Sequence, residues 1–283
     1  MRRAGGPREA AARWDISTPA RPGRLPGIAM AGFRDLSTAP LDLPVIPYPA
    51  VTVAVDLGDG LIVDDVHGRQ QRGGVVFGLV PDGVRVRGRN IDCLQIRLSP
   101  VLAHAVLGAS LESGGEMVAL DALWGRDAAR THERLRAAAS WPERFAIAEA
   151  ALARAHEAGR AVDPEVAHAW RRVEGSRGQV RVESLAAEVG WSRKRLWARF
   201  RSQIGLTPKR AARLVRFDHA AHRLAAGHSA GSVAVESGYA DQSHLHRDVM
   251  AFTGATPTAV SAAPWLAVDD VAWAVRGRAS SGL

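Results

Sequence analysis

Eight side chains, in two groups of four, have the chemistry to read the edges of nucleic-acid bases. Arg193, Lys194, Trp197 and Arg201 form the first group, and Gln242, Ser243, His246 and Arg247 the second. Arginine can pair with O6 and N7 of guanine and glutamine with N6 and N7 of adenine, so the set suits direct readout in a major groove. Each group flanks apolar residues at four-residue spacing: Leu196, Phe200 and Ile204 in the first, Leu245 and Val249 in the second. A helix that buries this apolar stripe leaves the eight side chains on or near its outer side. Any one of them alone reads about equally well as a solvated position or a phosphate contact. Together they read as a surface for bases.

The elements that must hold these groups occur twice. Leu-Ala-Ala-Glu-Val-Gly at 185–190 returns as Val-Ala-Val-Glu-Ser-Gly at 233–238, and Gly-Leu-Thr-Pro at 205–208 returns as Gly-Ala-Thr-Pro at 254–257. The offset drifts from 48 to 49, which marks one inserted residue. Each copy predicts a short small-residue helix, a turn at Gly190-Trp191-Ser192 or Gly238-Tyr239-Ala240, and a longer polar helix. That is the pattern of a helix-turn-helix, whose second helix can enter a major groove. Pro208 then opens a helix predicted to run to Ala226, with Leu214, Phe217, Ala221 and Leu224 as its apolar stripe. At 1.5 Å per residue its length is ~28 Å, comparable to the ~34 Å between successive major grooves on one side of the duplex.

Charge is concentrated in the same third of the chain. Residues 176–262 hold 13 Lys or Arg against 6 Asp or Glu, while the remainder has 24 against 23. Both lysines, Lys194 and Lys209, lie there. A confined basic excess is the footprint of a polyanion, with DNA phosphate the usual one.

At 283 residues and 47% hydrophobic content, the chain has material for two domains. No apolar run reaches the ~20 residues of a membrane span, and the basic start Met1-Arg2-Arg3 lacks the apolar core of a secretory signal. Cys93 is the single cysteine, which excludes an intramolecular disulfide and a cysteine-based structural zinc site. A cytoplasmic protein without a membrane partner is expected. Short β-rich runs fill 51–98, among them Val51-Thr-Val-Ala-Val-Asp-Leu57, Val75-Val-Phe-Gly-Leu-Val80, Val84-Arg-Val-Arg87 and Cys93-Leu-Gln-Ile-Arg-Leu98. They predict a small antiparallel sheet or barrel. Helices are predicted near 100–107, 127–139, 142–157 and 164–174.

The fold class is therefore α+β: a β-rich N-terminal domain with following helices, then an all-α DNA-binding domain of two helix-turn-helices joined by a long helix. The expected division is a poorly ordered tail over 1–20, a sensor or dimerisation domain over 21–174, a linker at 175–178, the DNA-binding domain over 179–262, and a tail over 263–283.

Gly-Tyr-x-Asp-Gln-Ser-His-Leu-x-Arg-Asp at 238–248, followed by Phe252-Thr-Gly-Ala-Thr-Pro257, resembles the C-terminal domain of AraC/XylS-type transcription regulators. The match covers about 180–260 and its motifs are specific. Leu98-Ser-Pro100, Leu120-Asp-Ala-Leu-Trp-Gly125 and Trp141-Pro-Glu-Arg-Phe145 are similar to a subgroup with a poorly characterised N-terminal domain. The resemblance implies a sequence-specific regulator without enzymatic activity, reading adjacent major grooves of double-stranded DNA. It places base contacts at Lys194, Trp197, Ala198, Gln242, Ser243, His246 and Arg247. Ala198 departs from the family, which usually carries Arg there, so the first copy is expected to discriminate bases less than the second. A small-molecule effector, a homodimer and, were the protein an activator, RNA polymerase are the further partners implied.

Other motifs point elsewhere. Gly227-His-Ser-Ala-Gly231 fits the hydrolase nucleophile elbow, but that turn needs a strand before the serine. Here a helix precedes it, and Ser229 or Ser232 reads better as a helix cap. His219 and His222, an i, i+3 pair, lack a third ligand, and His244 and His246, an i, i+2 pair, point to different faces of a helix, so no metal is expected. Neither catalytic residues nor a cofactor are expected. The alternative is a DNA-repair alkyl-transfer protein with Cys93 as methyl acceptor, although a zinc-activated acceptor needs several cysteines. Trp124, Trp141 and Trp170 read as core.

Overall fold

A computed structural model describes residues 12–58, 60–65, 67–80, 83–108 and 117–273. Two antiparallel sheets form the N-terminal part. The larger runs in the order β1 (Trp14–Ser17), β2 (Ile28–Asp35), β9 (Asp92–Leu98), β4 (Val51–Asp56), β7 (Gly74–Phe77), β10 (Met117–Ala119). The smaller is β3 (Leu41–Pro44), β8 (Arg85–Gly88), β5 (Leu61–Asp64), β6 (Gln70–Gln71). Strand side chains alternate between faces, and here both faces of the larger sheet are buried. Val53 and Val55 of β4, Val76 of β7, and Leu94 and Ile96 of β9 belong to one core, whereas Ala54, Val75, Phe77 and Cys93 join a second core with Leu61 and Val63 of the smaller sheet and with Val84, just before β8. The expected sheet or barrel over 51–98 is thus a pair of stacked sheets.

The first core is covered by α1 (Pro100–Leu107), α2 (Leu120–Trp124), α3 (Arg126–Ala137) and α4 (Trp141–Ala158). Ser99 and Ser140 cap α1 and α4, each with a proline in the first turn. Then come α5 (Pro164–Gly175) and the duplicated region: α6 (Val182–Glu188), α7 (Arg193–Ile204), the long α8 (Pro208–Ala225), α9 (Ala230–Glu236), α10 (Gln242–Thr253) and α11 (Pro257–Ser261). A last helix, α12, spans Pro264–Ala272.

Three segments differ from expectation. Within the supposed 1–20 tail, Trp14–Ser17 is an edge strand paired with β2. It is held there by Trp14 packing edge-on against Phe33 at 5.9 Å and by a two-pronged Arg13–Asp35 ion pair. Residues 1–11 of that tail lie outside the described residues. Within the supposed 263–283 tail, α12 buries Leu266, Asp269 and Ala272, and Trp273 is buried just beyond it; 274–283 again lie outside the described residues.

The third is Gly175-Ser-Arg-Gly178, expected as a linker, which is a tight turn against α8. Gly178 has φ +74°, and a side-chain carbon there would lie 2.0 Å from the Ala212 carbonyl oxygen, so only glycine fits. On the near side of this turn, α5 packs on α7 and α8, with Trp170 fully buried and its ring 6.5 Å from that of Phe200.

Candidate nucleic-acid interface

The two copies are built by the same local bonds. In the first turn Gly190 (φ +67°) follows α6 and the Trp191 amide donates to the Ala186 carbonyl at 3.0 Å; in the second, Gly238 (φ +73°) follows α9 and the Tyr239 amide donates to Ala234 at 2.9 Å. Ser192 caps α7 by accepting from the Arg195 amide, and Asp241 caps α10 by accepting from the His244 amide at 2.7 Å. The repeated Gly-x-Thr-Pro also has a structural meaning. Gly205 and Gly254 end α7 and α10 in the left-handed conformation, Thr207 and Thr256 cap the following helices, and Pro208 and Pro257 occupy their first turns.

These frames decide which side chains face out. Leu196, Phe200 and Ile204 of α7, and Leu245 and Val249 of α10, are buried as expected. Arg193, Lys194, Trp197, Ala198 and Arg201 are exposed on α7; Gln242, Ser243, His246 and Arg247 are exposed on α10. Trp197 leaves 45% of its surface open, unusual for so large an apolar group, and the Arg201 guanidinium sits 5.2 Å from its ring. Arg193 makes an exposed 3.4 Å ion pair with Glu183, and Arg247 leans on the Ser243 carbonyl at 3.4 Å.

Several supporting residues escaped the sequence reading. Arg199 is exposed on α7, yet it is engaged by a two-pronged pair with Asp163 at 2.7 and 2.8 Å, which holds that carboxyl below the usual carboxylate range. Gln203 accepts from the Asp163 amide at 2.9 Å. Arg213 of α8 bonds Asp248 of α10 at 2.7 Å, and Arg216 donates to the Gly238 carbonyl at 3.1 Å while lying 5.0 Å from the Tyr239 ring. The long helix therefore grips the second copy with two arginines, one on its recognition helix and one on the turn before it. Long-range pairs of this kind have no local pattern to betray them.

The other motifs have structural explanations. Ser229 caps α9, accepting from the Ser232 amide at 3.2 Å, with α8 rather than a strand before it. His244 packs edge-on against Tyr239 at 5.1 Å. Cys93 is buried, and its thiol is pushed far above the ordinary range by that burial and by Asp56 and Asp92. A thiol in this setting is a poor nucleophile and out of reach of DNA.

Residues 185–263 match the family model of a helix-turn-helix domain. No curated protein matches the chain. Among solved structures, ToxT from Vibrio cholerae is 10% identical, with 83% of this chain and 97% of that one covered and a TM-score of 0.48. The C-terminal domain of AraT, a response regulator from Geobacillus stearothermophilus, is 19% identical over 35% of this chain and 85% of its own, with a TM-score of 0.33. CuxR, an AraC-like transcriptional activator, is 15% identical over 68% and 83%, with a TM-score of 0.30. The C-terminal part of the chain thus carries a helix-turn-helix domain. Such a domain supports a DNA-binding transcription regulator. No described helix is long and apolar enough to cross a membrane.

Proposed function

We propose that the protein is a sequence-specific regulator that reads two adjacent major grooves of one DNA duplex, α7 in one and α10 in the next. The observation that carries this reading is the equivalence of the two outer faces: Arg193, Lys194, Trp197 and Arg201 on one, Gln242, Ser243, His246 and Arg247 on the other, each beginning directly after a capped turn. The 18 residues of α8 span ~27 Å and hold the two helices apart by nearly one helical repeat of DNA. Arg247 and Gln242 supply bidentate base contacts, Lys194 and Arg193 engage phosphate, and Trp197 offers apolar surface to thymine methyl groups. Ala198 has nothing to donate, so discrimination falls chiefly to α10.

The two stacked sheets suit a sensing role in the same reading. A cavity of about 200 Å³ between them and α8 is lined by Phe33, Phe77, Cys93, Phe217 and Trp273, with Arg97, Asp218, His222 and Asp269 as its ionisable members. It is proposed as the place for a small effector, with the unit from about Asp163 to Ala262 binding DNA. Self-association would then belong to the N-terminal part.

Selection of binding sites from a random duplex pool with the full chain tests the reading. Two half-sites with centres ~10 bp apart are expected, and affinity should fall steeply as salt rises. A single half-site, or no sequence preference at low salt, would overturn it.

A further inference from the structure

The C-terminal helix α12 does more than end the chain. Its Asp269 enters the space between the β domain and α8, where its carboxylate accepts from Arg97 Nη2 at 2.7 Å and lies 3.4 Å from His222 Nε2. Arg97 belongs to β9 and His222 to the C-terminal half of α8, so one carboxylate joins three elements that are distant in sequence. Just after α12, Trp273 inserts between the sheets beside Phe33, 6.3 Å between ring centroids. The Arg97 guanidinium is stacked between Trp273 at 4.2 Å and Tyr48 at 3.8 Å.

The arrangement depends on Asp269. Arg97 and Asp269 keep only 12% and 9% of their side-chain surface open, and Nε and Nη1 of Arg97 are buried without a hydrogen-bond partner. Stacking on two rings compensates a desolvated guanidinium in part, but a counter-ion supplies most of what water would have given. Asp218, one turn before His222 on α8, lies 3.6 Å from its Nδ1 and adds the second negative charge. Without Asp269, the buried Arg97 guanidinium would lose its hydrogen-bonded counter-ion and the half-buried His222 would keep Asp218 alone.

We infer that α12 is a strap: through Asp269 and Trp273 it closes the cavity and fastens the C-terminal half of α8 to the β domain, so that cavity opening and release of α8 are one event. The part of α8 released leads directly into α9 and α10, hence into the second recognition helix. Filling the Arg97 end of the cavity and holding the strap shut are mutually exclusive. This inference stands on interdomain contacts alone and does not require the DNA reading to be right.

Hydrogen exchange on the full chain carrying Asp269→Asn tests it. Asparagine keeps the shape and removes the charge. Amides of α12, of α8 from about 217 to 225 and of the loop around Tyr48 are expected to exchange together at least tenfold faster, while α1 and α4 stay as protected as in the parent protein. Faster exchange confined to α12, or none, overturns the inference. A chain ending at Ala262 gives a second reading. It should fold, and show the same loosening of α8 and the Tyr48 loop. Failure of that chain to fold would make α12 a part of the core and not a strap, and a folded chain with α8 fully protected would equally refute the coupling.

Discussion

Arg213 of α8 and Asp248 of α10 stand 2.7 Å apart, and the two ends of this ion pair are unequal: 38% of the Arg213 side chain is open to solvent but only 4% of Asp248. Asp248 Oδ2 has no hydrogen-bond partner and Tyr239 packs nearby, so the carboxylate leans on Arg213 alone for its charge. The two deletions should therefore differ. Arg213→Ala strands a buried carboxylate and is expected to cost about 3 kcal/mol in chemical unfolding, whereas Asp248→Ala lets Arg213 turn to water and should cost about half as much. Equal losses would mean that the pair acts through packing.

Base discrimination is expected to be asymmetric between the copies. Arg247→Ala should relax preference at one base position by ~1–3 kcal/mol, as read by site selection on parent and variant. Lys194→Ala should weaken all sequences alike and flatten the salt slope by about one counter-ion. Preference unchanged by the first substitution and collapsed by the second would assign the reading role to α7.

The independently folding DNA-binding unit should begin near Asp163. A fragment over 163–262 keeps Trp170 against Phe200 and the Arg199–Asp163 pair; a fragment over 176–262 loses both. The longer fragment is expected to melt cooperatively and bind DNA. In the shorter, the exposed face of Phe200 should lower stability by about 3 kcal/mol or more, similar to Trp170→Ala in the full chain. Matching melting curves for the two fragments would place the boundary after α5.

Closure of α12 should weaken as pH rises. Burial alone would lower the His222 pKa, but the Asp269 hydrogen bond and the Asp218 charge outweigh it and raise it to about 9. A group raised on folding stabilises fully below its unfolded value, about 6.5, and loses that contribution as pH climbs through 9. The other groups facing the site are Arg97 and Tyr48 from the β domain, with His219 a turn away on α8. Exchange of α8 amides, corrected for intrinsic rates, should accelerate between pH 6.5 and 9, and His222→Gln should remove that dependence. A pH-independent profile in the parent chain would show that His222 does not titrate with closure.

What the sequence made legible follows from the range of the interactions involved. The recognition helices, their caps and the strands over 51–98 are governed by neighbours one to four residues apart, and glycine, threonine and proline announced their ends. Trp14–Ser17 was hidden because four residues in a glycine- and proline-rich setting carry no period, and their strand exists only by pairing with β2. The turn at 175–178 looked like a spacer for the same glycines that let it press against α8. Arg97 and Asp269 are 172 residues apart. Nothing local marks one as the partner of the other.

The capped turns bear on how such a surface changes over generations. Ser192 and Asp241, Gly205 and Gly254, Thr207 and Thr256 fix both recognition helices from their ends, and Leu196 with Leu245 fixes them from beneath. None of these residues lies among the eight outward side chains. Substitutions at those eight positions leave every cap and core contact intact, so the outer faces can be rewritten one side chain at a time without passing through an unfolded ancestor. Ala198, exposed on α7 and outside both the caps and the core, is a further position free to change in this way.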